Sequence, residues 1–419
     1  MLLFARTTMP TIPKYMRALL FFGVIIFLIE MADSIMAYVA PIFLERGVKN
    51  SFYMGLILSS SSVAGLICDA IFPSIFRSKK HSFFLWNTVI LALLFPAVFL
   101  FFPHALPEFI FAMVIWGIYY EFLVFSKAYF IEAFIKMDRH AVAWGILNTF
   151  RSLTMVISPL VVPLLLDSGV EKPLIATFVL LVLGLMGIVL FNKIFPHKER
   201  VVVQEVVVKK PSALKELIVW RHLIIKIWPI FLFTLVLYVL EATFFSVGIL
   251  ASEELRQTSF WGTFLIPAYV IPSLFTGFLV EKLSINLGKK RLAFIAGAVG
   301  GVLLFLTVFL TAVPAFLVLV ILLSSVFTSI AYPAILASTQ DYVTRLGEFG
   351  GEMVGLQNAA ASIGYIIGPL LAGWMAMEFG NIEAIAGAGI LLLVVAVLNI
   401  LVVPRKIKMP RKELQAVIT

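Results

Sequence analysis

The stretch GILNTFRSLTMVISPL, Gly145 to Leu160, decides the fold because it recurs later in the chain. It is an apolar run of helical length that contains a charged residue, Arg151. An altered copy, GLQNAAASIGYIIGPL, returns about half a chain length later at Gly355 to Leu370, with Ala361 in place of Arg151. The first copy's residues that recur in register are Gly145, Asn148, Ser152, Ile157, Pro159 and Leu160. A repeat of this kind predicts a duplicated unit whose halves later acquired different chemistry.

The composition requires a lipid environment. The chain has 419 residues, of which 62% are hydrophobic and 13% are charged, and one water-soluble core does not bury that much apolar surface. With a window of about 19 residues, the sequence predicts an all-α integral membrane protein with twelve transmembrane helices. These runs cover 17–40, 52–75, 83–103, 108–131, 140–166, 173–195, 226–250, 259–283, 291–311, 314–338, 352–377 and 381–403.

The formal net charge of +9 indicates membrane topology rather than nucleic-acid binding. If the amino terminus is cytoplasmic, nearly all of the 32 Lys and Arg residues fall in cytoplasmic segments. The outer loops then hold Arg46, Lys49, Lys172 and Arg256, and the membrane holds Lys127 and Arg151. Because short cytoplasmic loops are rich in Lys and Arg, we expect a multi-pass protein of the cell membrane (plasma or inner), with both termini in the cytoplasm.

Four segments organise the chain. We expect a six-helix bundle over 1–195, a basic cytoplasmic linker over 196–225, a second six-helix bundle over 226–403 and a cytoplasmic tail over 404–419. The halves echo each other outside the opening stretch, since Glu30 corresponds to Glu241, and Gly65 with Asp69 corresponds to Gly277 with Glu281. The sequence offset between corresponding residues varies by only a few positions along the chain, which is typical of a tandem duplication.

Two further stretches resemble a known family. The segments GLICDAIFPSIFRSKK (65–80) and GFLVEKLSINLGKKR (277–291) are similar to the Gly-x-x-x-Asp signature and basic cluster of the major facilitator superfamily of secondary transporters. The resemblance implies two pseudo-symmetric six-helix bundles that rock around a midplane cavity to expose it alternately. It also implies a cytoplasmic gate, whose candidate residues here are Asp69, Arg77, Lys79, Lys80, Glu281, Lys289, Lys290 and Arg291. The alternative for the basic residues is that they only anchor the inner leaflet.

Ionisable residues near the membrane midplane are the strongest functional candidates, because an unpaired charge in lipid is costly. At about 1.5 Å per residue, four of them lie roughly 18–23 Å from a membrane edge, namely Glu30, Glu121, Arg151 and Glu241. We expect proton or cation coupling at the carboxylates Glu30, Asp33, Glu241 and Glu121. The alternative is that each only forms a structural hydrogen bond to a neighbouring helix.

Two basic residues have different expected roles. Arg151 is predicted either to form a structural ion pair with Glu121 on the preceding helix or to bind substrate. Lys127 is nearer the inner surface and is expected to extend its amine to water. The candidate substrate-binding residues are Arg151, Tyr120, Asn148, Tyr332, Gln357 and Asn358.

The motifs present favour transport over catalysis. The sequence has no phosphate-binding Gly-x-x-x-x-Gly-Lys-Ser/Thr loop and no metal-protease motif, so we expect no enzyme activity, no cofactor and no metal. An ion gradient remains as the driving force. We expect a monomeric, proton-coupled secondary transporter of a small organic solute, with a lean towards export of lipophilic or cationic compounds. The alternatives are a proton symporter for uptake of a sugar, metabolite or peptide, a channel, and a lipid-handling membrane protein.

Overall fold

The computed structural model describes residues 13–76, 79–101, 105–136, 139–195, 213–347 and 350–404, and within these ranges it is helical without strands. The amino-terminal bundle contains six helices. They are α1 (Lys14–Val48), α2 (Ser51–Ile75), α3 (His81–Phe101), α4 (Leu106–Phe134), α5 (His140–Ser168) and α6 (Lys172–Ile194).

The carboxy-terminal bundle is less regular. Its seventh span joins α7 (Ala213–Thr243) through a π-helical turn (Phe244–Gly248) to α8 (Ile249–Thr258). The eighth span contains a 3₁₀ turn (Phe260–Phe264), α9 (Leu265–Val270) and α10 (Ser273–Leu287). The remaining elements are α11 (Lys289–Leu306), a 3₁₀ turn (Thr307–Leu310), α12 (Pro314–Leu346), α13 (Gly350–Phe379) and α14 (Asn381–Val402).

The prediction of an all-α membrane protein is confirmed, with one irregular span. Eleven helices in the described part of the chain are long and apolar enough to cross a membrane. The eighth predicted span is broken because Pro267 and Pro272 lack the amide hydrogen that a continuous helix needs. The helix of the seventh span begins at Ala213, inside the stretch that the sequence suggested as a linker.

Close packing within each bundle depends on aromatic rings and small residues. Phe22 of α1 stacks on Phe130 of α4, with ring centroids 3.7 Å apart. In the second bundle, a methyl group at Gly301 of α11 would lie only 2.6 Å from the carbonyl oxygen of Gly389 of α14. Small residues thus allow backbones to approach where lipid provides no hydrophobic driving force between helices. Large apolar side chains such as Leu164 and Leu401 are exposed, as expected for surfaces that face lipid.

The two bundles meet mainly towards one side of the membrane. We call the side where α1 begins and α14 ends the terminal side, and the opposite one the far side. In the far half, the Ser59 hydroxyl of α2 donates to the carbonyl oxygen of Ile366 at 2.7 Å. A methyl group at Gly373 of α13 would lie 2.2 Å from the Ser51 carbonyl oxygen. Nearer the far end, Asp167 of α5 pairs with Arg256 of α8, so these contacts close the far side.

Candidate functional site

A buried ion pair lies in the middle of the amino-terminal bundle. The Nζ atom of Lys127 on α4 lies 2.8 Å from Oε1 of Glu30 on α1, and both side chains are buried. The second carboxylate oxygen of Glu30, Oε2, is also buried but has no hydrogen-bond partner among the described residues. Glu30 therefore has one oxygen bound to a cation and one oxygen free to accept a proton or another donor.

The expected position of Lys127 was wrong. We expected its amine to extend to the inner surface, but the side chain instead turns towards the midplane and binds Glu30. Because α1 and α4 are held side by side by Phe22 and Phe130, the flexible four-carbon chain of Lys127 reaches the carboxylate. A pair of opposite charges stabilises both groups in a region where neither finds water.

Asp33, one helical turn after Glu30, is held by neutral donors. Its Oδ1 atom accepts hydrogen bonds from Nε1 of Trp116 at 2.7 Å and from the Tyr119 hydroxyl at 2.5 Å. Next to it, the Ser34 hydroxyl donates to Thr154 of α5 at 3.1 Å. Asp33 thus connects α1 to α4 by hydrogen bonds, and its role in coupling stays a prediction.

Arg151 and Glu121 do not form the ion pair that we considered. The guanidinium of Arg151 lies over the ring of Tyr120, 5.8 Å from its centroid. Among the described residues it forms no ion pair and donates no hydrogen bond.

Glu121 faces α2. A methyl group at Gly65 would lie 3.2 Å from Oε1 of Glu121, so the absent side chain of Gly65 leaves room for this carboxyl group. Glu121 contacts Asp69, the acid of the family signature, through its side chain. Two predicted roles, coupling at Glu121 and gating at Asp69, therefore fall on one pair of carboxyl groups.

The carboxy-terminal bundle surrounds its own midplane acid with tyrosines. The carboxyl group of Glu241 on α7 contacts the Tyr365 hydroxyl of α13. The Tyr332 hydroxyl of α12 donates to that of Tyr238 at 2.5 Å, and the rings of Tyr238 and Tyr365 are 5.4 Å apart. No cation forms an ion pair with Glu241 in the part of the chain that the structure describes. The π-helical turn begins three residues later, and such turns are frequent at functional sites.

The remaining predicted substrate residues lie closer to the terminal side. Gln357 lines a small, open crevice between α7, α12 and α13. Asn148 and Asn358 occupy equivalent positions of the repeat, and both side chains are exposed. The structure thus brings Arg151, Tyr120 and Tyr332 towards the two midplane acids, whereas the three amide residues lie apart from them.

The predicted gate residues bind within their own bundles. Lys79 lies over the ring of Phe83 at 5.3 Å. Lys289 pairs with Asp341 of α12 at 2.7 Å, and Lys290 donates to the Pro404 carbonyl oxygen at 2.9 Å. Lys80 and Arg291 are exposed. Arg77 and the side chain of Glu281 lie outside the described residues.

Sequence reasoning missed Lys127, Tyr238 and Tyr365 as members of the site. For Lys127 the signal was present, since it and Arg151 are the basic residues that lie away from the ends of the predicted spans. For the tyrosines there was no comparable signal, because aromatic residues inside membrane helices are usually packing residues and only the three-dimensional arrangement gathers these around Glu241.

The family model of the Major Facilitator Superfamily matches residues 230–416, and no curated protein matches the chain. The solved structure of the nucleoside transporter NupG is similar, with a TM-score of 0.72, 14% identity, and coverage of 96% of this chain and 99% of that chain. A bacterial homolog of the human lysosomal transporter Spinster, in an inward-facing and unoccupied conformation, gives 0.69 at 14% identity, with 93% and 97% covered.

A mutant of the peptide transporter POT gives a TM-score of 0.71 at 13% identity, with 93% of this chain and 94% of that chain covered. At these identities the solved structures show a shared fold and do not indicate a shared cargo. The family match, the duplicated bundles and the shared fold agree. The chain is thus similar to the Major Facilitator Superfamily over residues 230–416, and nearly its whole length shares the fold of these solved transporters.

Proposed function

We propose that this protein is a proton-coupled secondary transporter that moves a small organic solute across the cell membrane by alternating access. The observation that carries the proposal is the buried pair of Glu30 and Lys127, in which Oε2 of Glu30 has no partner among the described residues. Acidic side chains inside membrane proteins commonly relay protons.

The chemistry of the coupling step follows from this pair. A proton that binds to Oε2 neutralises the Glu30 carboxylate and removes most of its attraction for Lys127. The amine of Lys127 is then an unpaired cation inside the membrane, which is costly until it finds another acceptor. Loss of the proton on the other side restores the pair, so the protonation of one carboxyl group can select between two arrangements of α1 and α4.

Alternating access requires that each side of the cavity closes in turn. The far-side contacts, such as the pair of Asp167 and Arg256, support a state that is closed on that side. The predicted gate residues, including Lys289 with its partner Asp341, would form the opposing closure when the bundles rock. From the distribution of Lys and Arg, we expect the terminal side and both termini to lie in the cytoplasm.

Two observations bear on the direction of transport. Acidic residues near the midplane outnumber basic ones, with Glu30, Asp33 and Glu241 against Lys127 and Arg151. This excess of negative charge favours export of cationic or lipophilic compounds in exchange for protons. The guanidinium of Arg151, which forms no ion pair among the described residues, favours the second candidate, proton-driven uptake of a metabolite or peptide with an acidic group.

The test uses the purified protein in liposomes that contain a pH-sensitive dye. A panel of sugars, nucleosides, amino acids, dipeptides and lipophilic cations is first screened by thermal stabilisation. Solutes that stabilise the protein are then added under an imposed pH gradient. We expect solute-dependent proton movement and uphill solute transport, and the sign of the coupled flux distinguishes export from uptake.

The decisive variant is Glu30→Gln combined with Lys127→Met, which removes both charges without leaving one of them unpaired. We expect it to exchange solute down a gradient but to lose proton movement. Glu45→Gln, at the far end of the same helix, is the matched control and should keep coupling. Uphill, pH-driven transport by the double variant would contradict the proposal, and ohmic currents of many ions would indicate a channel.

A further inference from the structure

Basic side chains gather around one tyrosine at the terminal side of the carboxy-terminal bundle. The Nζ atom of Lys290, in the first turn of α11, lies 5.9 Å from the centroid of the Tyr342 ring. The guanidinium of Arg345, in the last turn of α12, lies 5.7 Å from the same centroid. Two cations from different helices therefore share one aromatic ring, and Arg291 directly follows Lys290 in the chain.

Among the described residues, these cations lack an acidic partner. The acid on the same part of α12, Asp341, is bound by Lys289 through both of its oxygens, at 2.7 and 2.9 Å. Lys290 donates to the Pro404 carbonyl oxygen at 2.9 Å, which engages one of its three N–H groups. Lys290 and Arg345 form no ion pair within the part of the chain that the structure describes. Like charges around one ring repel each other, so an anion between them would stabilise the cluster.

Other cations that lie over rings at the terminal side are single. Lys79 lies over Phe83 at 5.3 Å, and Arg139 lies over Tyr15 at 5.7 Å. Within the described ranges, Tyr342 is the one ring that carries two cations. The bias of basic residues towards one side of a membrane accounts for isolated surface charges. A bound anion is a further reason for two of them to converge.

The lipid-facing surface of α11 continues from this cluster into the membrane. Arg291 is exposed, and Ile295, Val299 and Val302 follow it at spacings of four, four and three, all of them exposed. Residues at these spacings lie on one face of a helix. The start of α11 therefore presents a basic residue at the membrane edge, followed by an apolar stripe. A molecule with an anionic head and apolar chains matches both parts.

We infer that the start of α11 and the end of α12 bind an anionic phospholipid, whose phosphate contacts Lys290 and Arg345 and whose acyl chains lie along α11. The planar guanidinium binds two phosphate oxygens at once, and the ammonium group adds a point charge. Clusters of basic residues next to membrane helices recognise anionic headgroups in this way. The inference goes beyond the proposed transport function and does not depend on it.

The test counts the lipids that remain bound to the purified full-length protein by native mass spectrometry. After removal of co-purified lipid, the protein in detergent is titrated with phosphatidylglycerol or with phosphatidylcholine of the same acyl chains. We expect the first phosphatidylglycerol to bind at least about 10-fold more tightly, because its headgroup supplies the missing negative charge. Inorganic phosphate and glycerol 3-phosphate at the same concentration should not displace it, because they lack chains that pack on α11.

Variants locate the site. Lys290→Gln combined with Arg345→Gln should weaken binding of the first phosphatidylglycerol about 25-fold, which is about five-fold for each charge removed. Arg345→Lys keeps the charge without the planar fork, so it should bind with intermediate affinity and guards against a general folding defect. The matched control combines Lys193→Gln on α6 with Lys282→Gln on α10, which removes two exposed charges from the terminal side. It should bind lipid as the unaltered protein does.

Three results would overturn the inference. The first is equal affinity for the two lipids, and the second is an equal loss of affinity in the control with two charges removed elsewhere. The third is displacement of phosphatidylglycerol by inorganic phosphate or glycerol 3-phosphate at matched concentration, which would assign the cluster to a soluble phosphate compound. Because Glu30 and Lys127 take no part in this measurement, a failure here leaves proton coupling standing.

Discussion

The two bundles carry an acid at equivalent positions but neutralise it differently. Glu30 in the amino-terminal bundle is bound by Lys127 at 2.8 Å, whereas Glu241 in the carboxy-terminal bundle is surrounded by tyrosines and has no ion pair among the described residues. A carboxylate with an internal cation can switch by gaining a proton. A carboxylate without one is suited to an external cation.

The repeated stretch differs between the two bundles in the same way. Arg151 of α5 corresponds to Ala361 of α13, so the amino-terminal bundle presents a cation that its counterpart lacks. The amino-terminal bundle thus carries both midplane basic residues, Lys127 and Arg151, and the carboxy-terminal bundle carries an acid without them. The proposed coupling role therefore falls on Glu30, whose own bundle supplies its cation, whereas Glu241 has no ion pair among the described residues.

The largest effect is expected from breaking the pair in the amino-terminal bundle. Lys127→Met leaves Glu30 as a buried, unpaired carboxylate and should lower the free energy of unfolding by about 3–5 kcal/mol. Combining it with Glu30→Gln removes both charges and should restore most of that loss. Reversible unfolding in mixed detergent micelles, followed by circular dichroism, measures both values.

The control for this prediction is Lys193→Met, which changes an exposed lysine at the end of α6. It should alter the free energy of unfolding by less than about 0.5 kcal/mol. If Lys127→Met were as stable as the control, the ion pair would not contribute to the fold, and the contrast between the bundles would lose its basis.

The next effect concerns equivalent positions of the repeat that contact different neighbours. The Thr154 hydroxyl of α5 accepts a hydrogen bond from the Ser34 hydroxyl. Its counterpart in the second copy, Gly364 of α13, packs directly on α7. A methyl group at Gly364 would lie 2.5 Å from Cβ of Tyr238 and 3.0 Å from the Leu235 carbonyl oxygen. Gly364→Thr should therefore separate α7 from α13 and cost about 1–3 kcal/mol of stability.

Gly145→Ala provides the comparison for that substitution, because a methyl group there meets nothing within 4 Å. It should leave stability unchanged or slightly raised, since alanine favours a helix more than glycine does. Thermal unfolding of the two variants side by side checks the prediction. Equal midpoints would mean that α13 tolerates the first copy's residue and that the two copies are interchangeable at this position.

How much of this was visible in the sequence depends on the physical scale of each feature. The fold class and the duplication followed from continuous apolar runs and from the repeated Gly145–Leu160 stretch, because lipid imposes helical length and loop charge directly. The break in the eighth span was also encoded, in Pro267 and Pro272. Its effect on the span was not anticipated, since proline is often tolerated within membrane helices.

The partners of the charges could not be predicted from depth alone. Glu121 and Arg151 lie at similar depth on consecutive helices, which suggested a pair, but rotation about the helix axes turns Glu121 towards Gly65 and Arg151 towards Tyr120. Lys127 was assigned to the surface because its backbone is nearer the membrane edge, whereas its long side chain points inwards to Glu30. Helix rotation and side-chain direction are properties of the packed bundle.

A smaller effect is expected from neutralising the acid of the carboxy-terminal bundle. Among the described residues of that bundle, Glu241→Gln breaks no ion pair and loses a contact with the Tyr365 hydroxyl. It should change the free energy of unfolding by no more than about 1.5 kcal/mol, well below the effect of Lys127→Met in the same micelle assay. A loss as large as that of Lys127→Met would indicate that Glu241 is neutralised within the protein, and the two bundles would then be alike.

The smallest effect concerns the ion pair that joins the bundles at the far side. Asp167 is largely exposed, with 60% of its side chain accessible, and Arg256 is shared with Glu253. Exposed ion pairs contribute about 0.2–1 kcal/mol, so Arg256→Gln should shift the balance between far-side closed and open states by at most about five-fold.

Pulsed electron paramagnetic resonance distances between spin labels at Lys172 and Phe260, in a protein with Cys68→Ser, measure this balance. Arg46→Gln, an exposed far-side substitution on α1, should leave the distances as they are. The same result for Arg256→Gln would mean that the close contact of α2 with α13, rather than charge, holds the two bundles together.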